Sequence, residues 1–403
     1  LNLGPRPAKT KSASMSHIRN ILAVSLRESR RILSSPLYIF SLVGAPLLCF
    51  VFFLTLMGKG LPSGLPVGVV DMDRSAQSRS VVRNLGAFQH IKIVARYRTF
   101  NEARDQMQRG RIYGVFYIPA GFSRDLQNQQ QPTISYYSNY TYLIAGTLSF
   151  RDFRMMSELA AGAAGRAVLT AKGATDDQAQ EFLQPIVVDT HLLGNPWLNY
   201  SVYLNNITLP GALMIVIFLL TVYSIGVELK DKTAYKWISL SGNSIFNAVT
   251  GKLLPYTAVF FLMALVYNLL LYGVLRFPCH CGMPVMVVVS FLFVLASQAL
   301  GVFFVGLLPH FRFAMSVASL WGILSLSMSG FTFPVTEMSP LLKGLSVCFP
   351  LRHYFLIYVD QALNGYPLYY SWDEVLWLML FLLLPLTVLY RLKGVLLTYR
   401  YEP

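Results

Sequence analysis

Six stretches of the chain are long, apolar and free of Asp, Glu, Lys and Arg: residues 37–57, 207–227, 253–275, 284–308, 313–333 and 375–390. The last of these, with its polar flanks, covers 371–393. A helix rises about 1.5 Å per residue and a bilayer's hydrocarbon core is about 30 Å thick, so one crossing takes roughly 20 uncharged residues. One charged side chain at the centre of such a helix would cost about 2.5–3.5 kcal/mol. The pattern therefore predicts an α-helical polytopic membrane protein with six transmembrane helices.

Between these stretches the hydrophobic period changes. Residues 16–34 place Ile18, Ile21, Leu22, Leu26 and Leu33 on one face and Arg19, Arg27, Arg30 and Arg31 largely off it. That spacing predicts an amphipathic interfacial helix over 16–36. Residues 58–206 form an insert too long for a structureless loop, so it needs a core of its own. Strand patterns at 65–70, 91–94 and 112–118 alternate with helix patterns at 75–85 and 101–109, a βαβαβ order that implies an inserted α/β domain. A further helix and strand (121–128, 133–137) follow, then a long helix (143–171), a capping-box start at Thr175–Gln178 and a strand near 185–189. Residues 334–370 are too polar to span and too apolar for a free loop. They read as broken amphipathic or re-entrant helices, with Pro350, Arg352, His353 and Phe355 as an outer gate, or alternatively as an interfacial anchor.

Charge sets the orientation. Of 33 Lys and Arg, about 15 fall in the leader and amphipathic helix, the 228–252 connection, Arg312 and the tail with Arg391, Lys393 and Arg400, against about 3 in the opposite short loops (Arg276, Lys343, Arg352). Both termini are thus expected in the cytoplasm and the insert in the periplasm of a bacterial inner membrane. The formal charge of +14 is scattered beside apolar spans rather than striped with aromatics, which argues against nucleic acid as a partner. Residues 1–15 read as a disordered leader. The cysteines are Cys49, Cys279, Cys281 and Cys348, too few for a disulfide scaffold, although an outer-loop bond to Cys348 is one reading. Cys279-His280-Cys281 lacks the four donors that zinc wants, and no metal site is assigned. No Ser/His/Asp or paired-carboxylate constellation stands at catalytic spacing, so no catalytic residue is assigned.

Three stretches carry a resemblance to the ABC type-2 exporter permease family, in members with a large extracytoplasmic insert after the first span. They are the insert entry at Val67-Gly68-Val69-Val70-Asp71-Met72-Asp73-Arg74-Ser75, the stretch Arg111-Ile112-Tyr113-Gly114-Val115-Phe116-Tyr117-Ile118-Pro119, and the pair Glu228-Leu229-Lys230-Asp231-Lys232-Thr233 and Gly251-Lys252-Leu253-Leu254-Pro255. The resemblance implies a non-catalytic transport subunit with a separate cytosolic ABC ATPase as its partner. It also implies a second permease subunit, identical or sister. Family members often carry Gly before the Thr, where this chain has Lys232.

No GxxxxGK[ST] phosphate loop occurs, so no cofactor is expected on this chain, and ATP and Mg belong to the partner ATPase. Glu228, Lys230, Asp231, Lys232, Thr233, Lys236 and Trp237 are the candidate coupling residues, forming a short helix docked on that ATPase. An ordinary positive-inside loop is the bland alternative. Asn268, Ser297, Gln298, Ser325, Ser327 and Ser329 are the candidate pathway residues for a hydrophobic or amphipathic drug or lipid-like cargo, or simply interhelical glue. Membrane lipid and a periplasmic adaptor complete the expected partners, the latter on the insert. Competing readings are a secondary exporter driven by an ion gradient, disfavoured by spans empty of ionisable groups, and a receptor or tether that transports nothing.

Overall fold

A computed structural model describes residues 9–398 except 129, 197 and 309, with side chains described from His17 onward. The first half of the expected leader (1–8), with Arg6, and the end of the tail (399–403), with Arg400, lie outside the described residues.

Among the described residues, six helices are long and apolar enough to cross a membrane: Pro36–Leu56, Tyr200–Lys230, Ile245–Val274, Met283–Leu307, Phe311–Met328 and Leu368–Thr398. They correspond in number and order to the six apolar stretches. Several are longer than the hydropathy pattern alone suggests. The second begins where Asn199 caps the N–H groups of Ser201 and Val202, and its polar first turns keep Asn205 and Asn206 buried. The third starts before Lys252, and the sixth takes in Asp373 and Glu374 at one end and Arg391 and Lys393 at the other. The expectation of spans without ionisable groups thus holds for their apolar middles and not for the whole helices.

The chain divides into two compact units, residues 1–58 with 192–403, and 59–191. In the first unit the second and fourth spans are the most enclosed, and the first and fifth leave most of their apolar surface outward. Small residues allow the close approaches. A Cβ on Gly301 would lie 3.0 Å from Thr221 Cβ, a tight contact, so glycine lets the fourth span press closely against the second. Before the first span, the amphipathic helix runs Lys9–Ser34, beginning inside the stretch expected to be leader.

The 334–370 segment is indeed broken into short helices, Pro340–Ser346 and Pro350–Ile357, the latter continuing as a π turn over Tyr358–Leu363. Leu351, Ile357 and Tyr358 are fully buried in the same core as the second and fourth spans. The segment is therefore part of the bundle's packing.

The second unit is a four-stranded sheet in the order β2-β1-β3-β4. Its strands are β1 (Leu65–Asp71), β2 (Ile91–Tyr97), β3 (Gly114–Ile118) and β4 (Ser135–Ser138). The first three are parallel and β4 is antiparallel to β3. Helix Phe100–Gln108 belongs with the core of Val70, Ala103, Ile112 and Val115. On the other face Val67, Val69 and Phe116 pack against Val82 and Leu85 of Ala76–Leu85 and Phe153 and Met156 of Leu143–Ala171. Burial on both faces explains the continuous apolar run of β1. The capping box at Thr175 and Gln178 forms as expected. The strand expected near 185–189 does not form: Pro185 has no N–H to give a ladder, and Ile186, Val187 and Val188 are exposed without a pairing strand.

The family-like entry to this unit is built on carboxylates. Asp71 Oδ1 accepts the N–H groups of Asp73 (3.1 Å) and Arg74 (2.9 Å), and its Oδ2 accepts the Ser78 hydroxyl (2.8 Å). Asp73 accepts the Ser123 N–H at 3.2 Å, tying the turn to the helix after β3.

Candidate functional site: a buried ion network beneath the second and third spans

The N-terminal helix delivers Arg27, Glu28 and Arg31 on consecutive turns, the end of the second span delivers Glu228 and Asp231, and the start of the third delivers Lys252. Lys252 and both glutamates are fully buried. Lys252 Nζ donates to Glu28 Oε2 at 2.7 Å and to Glu228 Oε1 at 2.8 Å. Arg27 forks onto Glu228 at 2.9 and 3.0 Å, and Arg31 bridges Glu228 (3.0 Å) and Asp231 (2.8 Å). The Tyr256 hydroxyl donates to Glu28 Oε1 at 2.9 Å, and the Thr233 hydroxyl donates to Glu228. Three cations meet three carboxylates, so each buried charge has a counter-charge and hydrogen bonds, the condition under which burial is sustainable.

The helix crossing that makes this possible depends on Gly251. A Cβ there would lie 2.6 Å from the Ile21 carbonyl oxygen and 2.9 Å from Val24 Cβ. The chain then returns through Lys232, which has φ +58°, to the short helix Ala234–Leu240. A left-handed backbone at this position is what glycine adopts without strain. Trp237 is fully buried, donates its indole N–H to the Ala248 carbonyl at 3.2 Å and lies under Lys252 Nζ, 4.9 Å from the ring centroid. Lys393 of the last helix donates to the Asn243 carbonyl at 2.6 Å.

The coupling residues expected from the sequence therefore fall into two groups. Glu228, Thr233 and Trp237 face inward and fasten the loop to the spans. Glu228 and Trp237 are fully buried and Thr233 is half-buried, so these three side chains hold the loop rather than project from it. Lys230, Asp231, Lys232 and Lys236 are exposed, and beside them stands Tyr235, 75% exposed. Sequence reasoning missed Tyr235, as it missed Arg27, Arg31, Glu28 and Lys252 as partners of Glu228. The one available signal was an acidic Glu28 in an otherwise basic helix.

The pathway residues are not brought together. Asn268 donates to Ser290 (2.9 Å) and Gln298 accepts from Thr257 (2.6 Å), each joining the third span to the fourth. Gln298 also lines a pocket of about 320 Å³ among the third, fourth and sixth spans. Ser297, Ser325 and Ser329 donate to carbonyls of their own helices, and Ser327 is exposed. Of the outer-gate residues, Pro350, His353 and Phe355 are core residues, and Arg352 is half-buried. The buried His353 pairs with Glu374 through Nδ1 and with the Val347 carbonyl through Nε2 at 2.8 Å.

No curated protein matches the chain. A family model described as ABC-2 family transporter protein matches residues 36–391, from the first span almost to the end of the last, and with six candidate spans in that stretch the chain belongs to that family of multi-pass membrane transport proteins.

Proposed function

We propose that the chain is the permease subunit of an ATP-driven exporter, moving a hydrophobic or amphipathic drug or lipid-like substrate out of the inner membrane. A separate cytosolic ABC ATPase, carrying ATP and Mg, supplies the work, and a second permease subunit completes the pathway. In this reading both termini and the Asp231–Ser244 connection are cytoplasmic, and the insert is a periplasmic docking platform for an adaptor.

The observation that carries it is mechanical. The exposed face of Ala234–Leu240, with Tyr235 and Lys236, sits on a loop fastened through Glu228, Trp237 and Lys252 to the second and third spans and to the N-terminal helix. A load applied at Tyr235 would reach both spans without crossing a flexible joint. Spans with apolar middles favour this source of energy over an ion gradient.

The test is ATPase activity and cargo efflux of the permease co-expressed with its ATPase, comparing the parent with Tyr235→Ala and Lys236→Glu. Loss of cargo-stimulated hydrolysis at unchanged thermal stability supports the docking face. Unchanged coupling in both variants, or efflux from nucleotide-free vesicles holding this chain alone, refutes it.

A further inference from the structure

Cys279 and Cys281 lie in a tight turn between the third and fourth spans. The Gly282 N–H closes the turn on the Cys279 carbonyl at 3.1 Å, with Gly282 at φ +81°. Two ladder-like hydrogen bonds hold it to the end of the 334–370 segment: the His280 N–H to the Ala362 carbonyl (2.9 Å) and the Cys281 N–H to the Gln361 carbonyl (3.1 Å). Gly365 makes room for it, since a Cβ there would lie 2.8 Å from His280 Cβ. Within this clamped backbone the two sulfurs face each other at 3.9 Å, half-buried against Tyr272 and the core.

From this geometry we propose that Cys279 and Cys281 are a redox-active dithiol that closes to an intraturn disulfide by exchange with an oxidised dithiol of the outer compartment. Closure would bring the sulfurs from 3.9 Å to a bond of about 2.05 Å. A two-coordinate thiophilic metal is the weaker fit. At about 2.3 Å per metal–sulfur bond, a linear bridge would hold the sulfurs farther apart than they are, and no third His, Cys, Asp or Glu donor is grouped with them among the described residues.

The roles of the two thiols differ. The hydrogen bond between them lowers the Cys281 thiol, and the same bond together with burial raises that of Cys279, so Cys281 is the thiolate that attacks. Its sulfur bonds to one sulfur of the donor disulfide, releasing the first donor thiolate. Cys279 then gives up its proton and attacks the Cys281 sulfur, forming Cys279–Cys281 and releasing the second donor thiolate. Two electrons and two protons pass to the donor, and two thiols become one disulfide. A ring this small in a constrained turn belongs with the readily reduced disulfides, so the site is a reversible modification.

The inference rests on the orientation in the proposed function only for the identity of the oxidant. The test uses the full chain in membrane vesicles, treated with oxidised or reduced glutathione, alkylated, digested and weighed. After oxidation the 277–312 peptide should be 2 Da lighter and resist alkylation until reduced, then take two alkyl groups. Cys348→Ser should leave that behaviour intact, and Cys279→Ser should stop the exchange at a mixed disulfide on Cys281, heavier by one glutathione and open to alkylation only after reduction. Alkylation of both thiols after oxidation, a cross-link from either one to Cys348, or a bound Cu(I) that blocks oxidation would overturn the proposal. A membrane-impermeant maleimide on intact cells reports the side separately. Labelling only from the cytoplasm refutes the orientation and leaves the vesicle result standing.

Discussion

Lys252 Nζ stands 2.7 Å from Glu28 Oε2, joining side chains 224 positions apart inside a fully buried site. Removing Lys252 leaves the buried Glu28 carboxylate without its ion-pair partner, while Glu228 keeps Arg27 and Arg31, at a cost of about 3–5 kcal/mol. Lys252→Met should therefore lower thermal stability in detergent by roughly that amount. Adding Glu28→Gln should cost much less than it does alone, because the carboxylate it removes has already lost its partner. Additive effects in a double-mutant cycle would dismiss the network.

Gly251→Ala places a methyl group against the Ile21 carbonyl and Val24. Because the obstacle is backbone on one side, the helices must part, at about 1–3 kcal/mol. Gly344, with nothing within 4 Å, is the control, and its alanine variant should be neutral or up to about 1 kcal/mol more stable. Equal melting shifts for the two would show that the crossing is looser than described.

Lys232→Gly relieves a left-handed backbone and should raise the melting temperature, with about 1 kcal/mol at stake. Lys232→Val should lower it, a β-branched side chain being the least tolerant of positive φ. The melting order Gly, Lys, Val is the readout, and a glycine variant less stable than the parent contradicts the assignment.

Partial burial would raise the Asp73 carboxyl, but hydrogen bonds from Ser75, Ser123 and the Gly121 N–H outweigh it and hold the group below the usual carboxylate range. A depressed folded value means stability that is complete above the unfolded pKa and lost as pH falls through the folded one. Hydrogen-exchange protection factors, taken against the intrinsic rate at each pH, should fall on acidification in peptides spanning 65–85 and 114–127 of the parent. Asp73→Asn should flatten that dependence, and an unchanged acid response would exclude Asp73 as its source.

How much of this was legible in the sequence follows from the range of each interaction. The spans could be read because lipid forbids charge at every position of an apolar middle, a local rule. The βαβαβ order could be read because β1, buried on both faces, is a run of valines. The span ends could not. Glu228, Lys252 and Glu374 look like loop residues until a partner from another helix is supplied, and those partners lie tens to hundreds of positions away. The same blindness made Trp237 look like a docking residue, since an aromatic beside charged neighbours reads alike whether its ring points inward or outward. The strand expected at 185–189 failed for a related reason, because β-propensity without a neighbouring edge does not make a strand.

The ion network is split unevenly between its owners. The N-terminal helix contributes two arginines and one glutamate, and the span ends contribute two carboxylates and one lysine, so each half alone carries a surplus of opposite sign. Prising them apart would strand unlike charge on two greasy surfaces. The amphipathic helix and the roots of the second and third spans consequently travel as one piece, and any motion that opens the bundle must be taken up elsewhere in the chain.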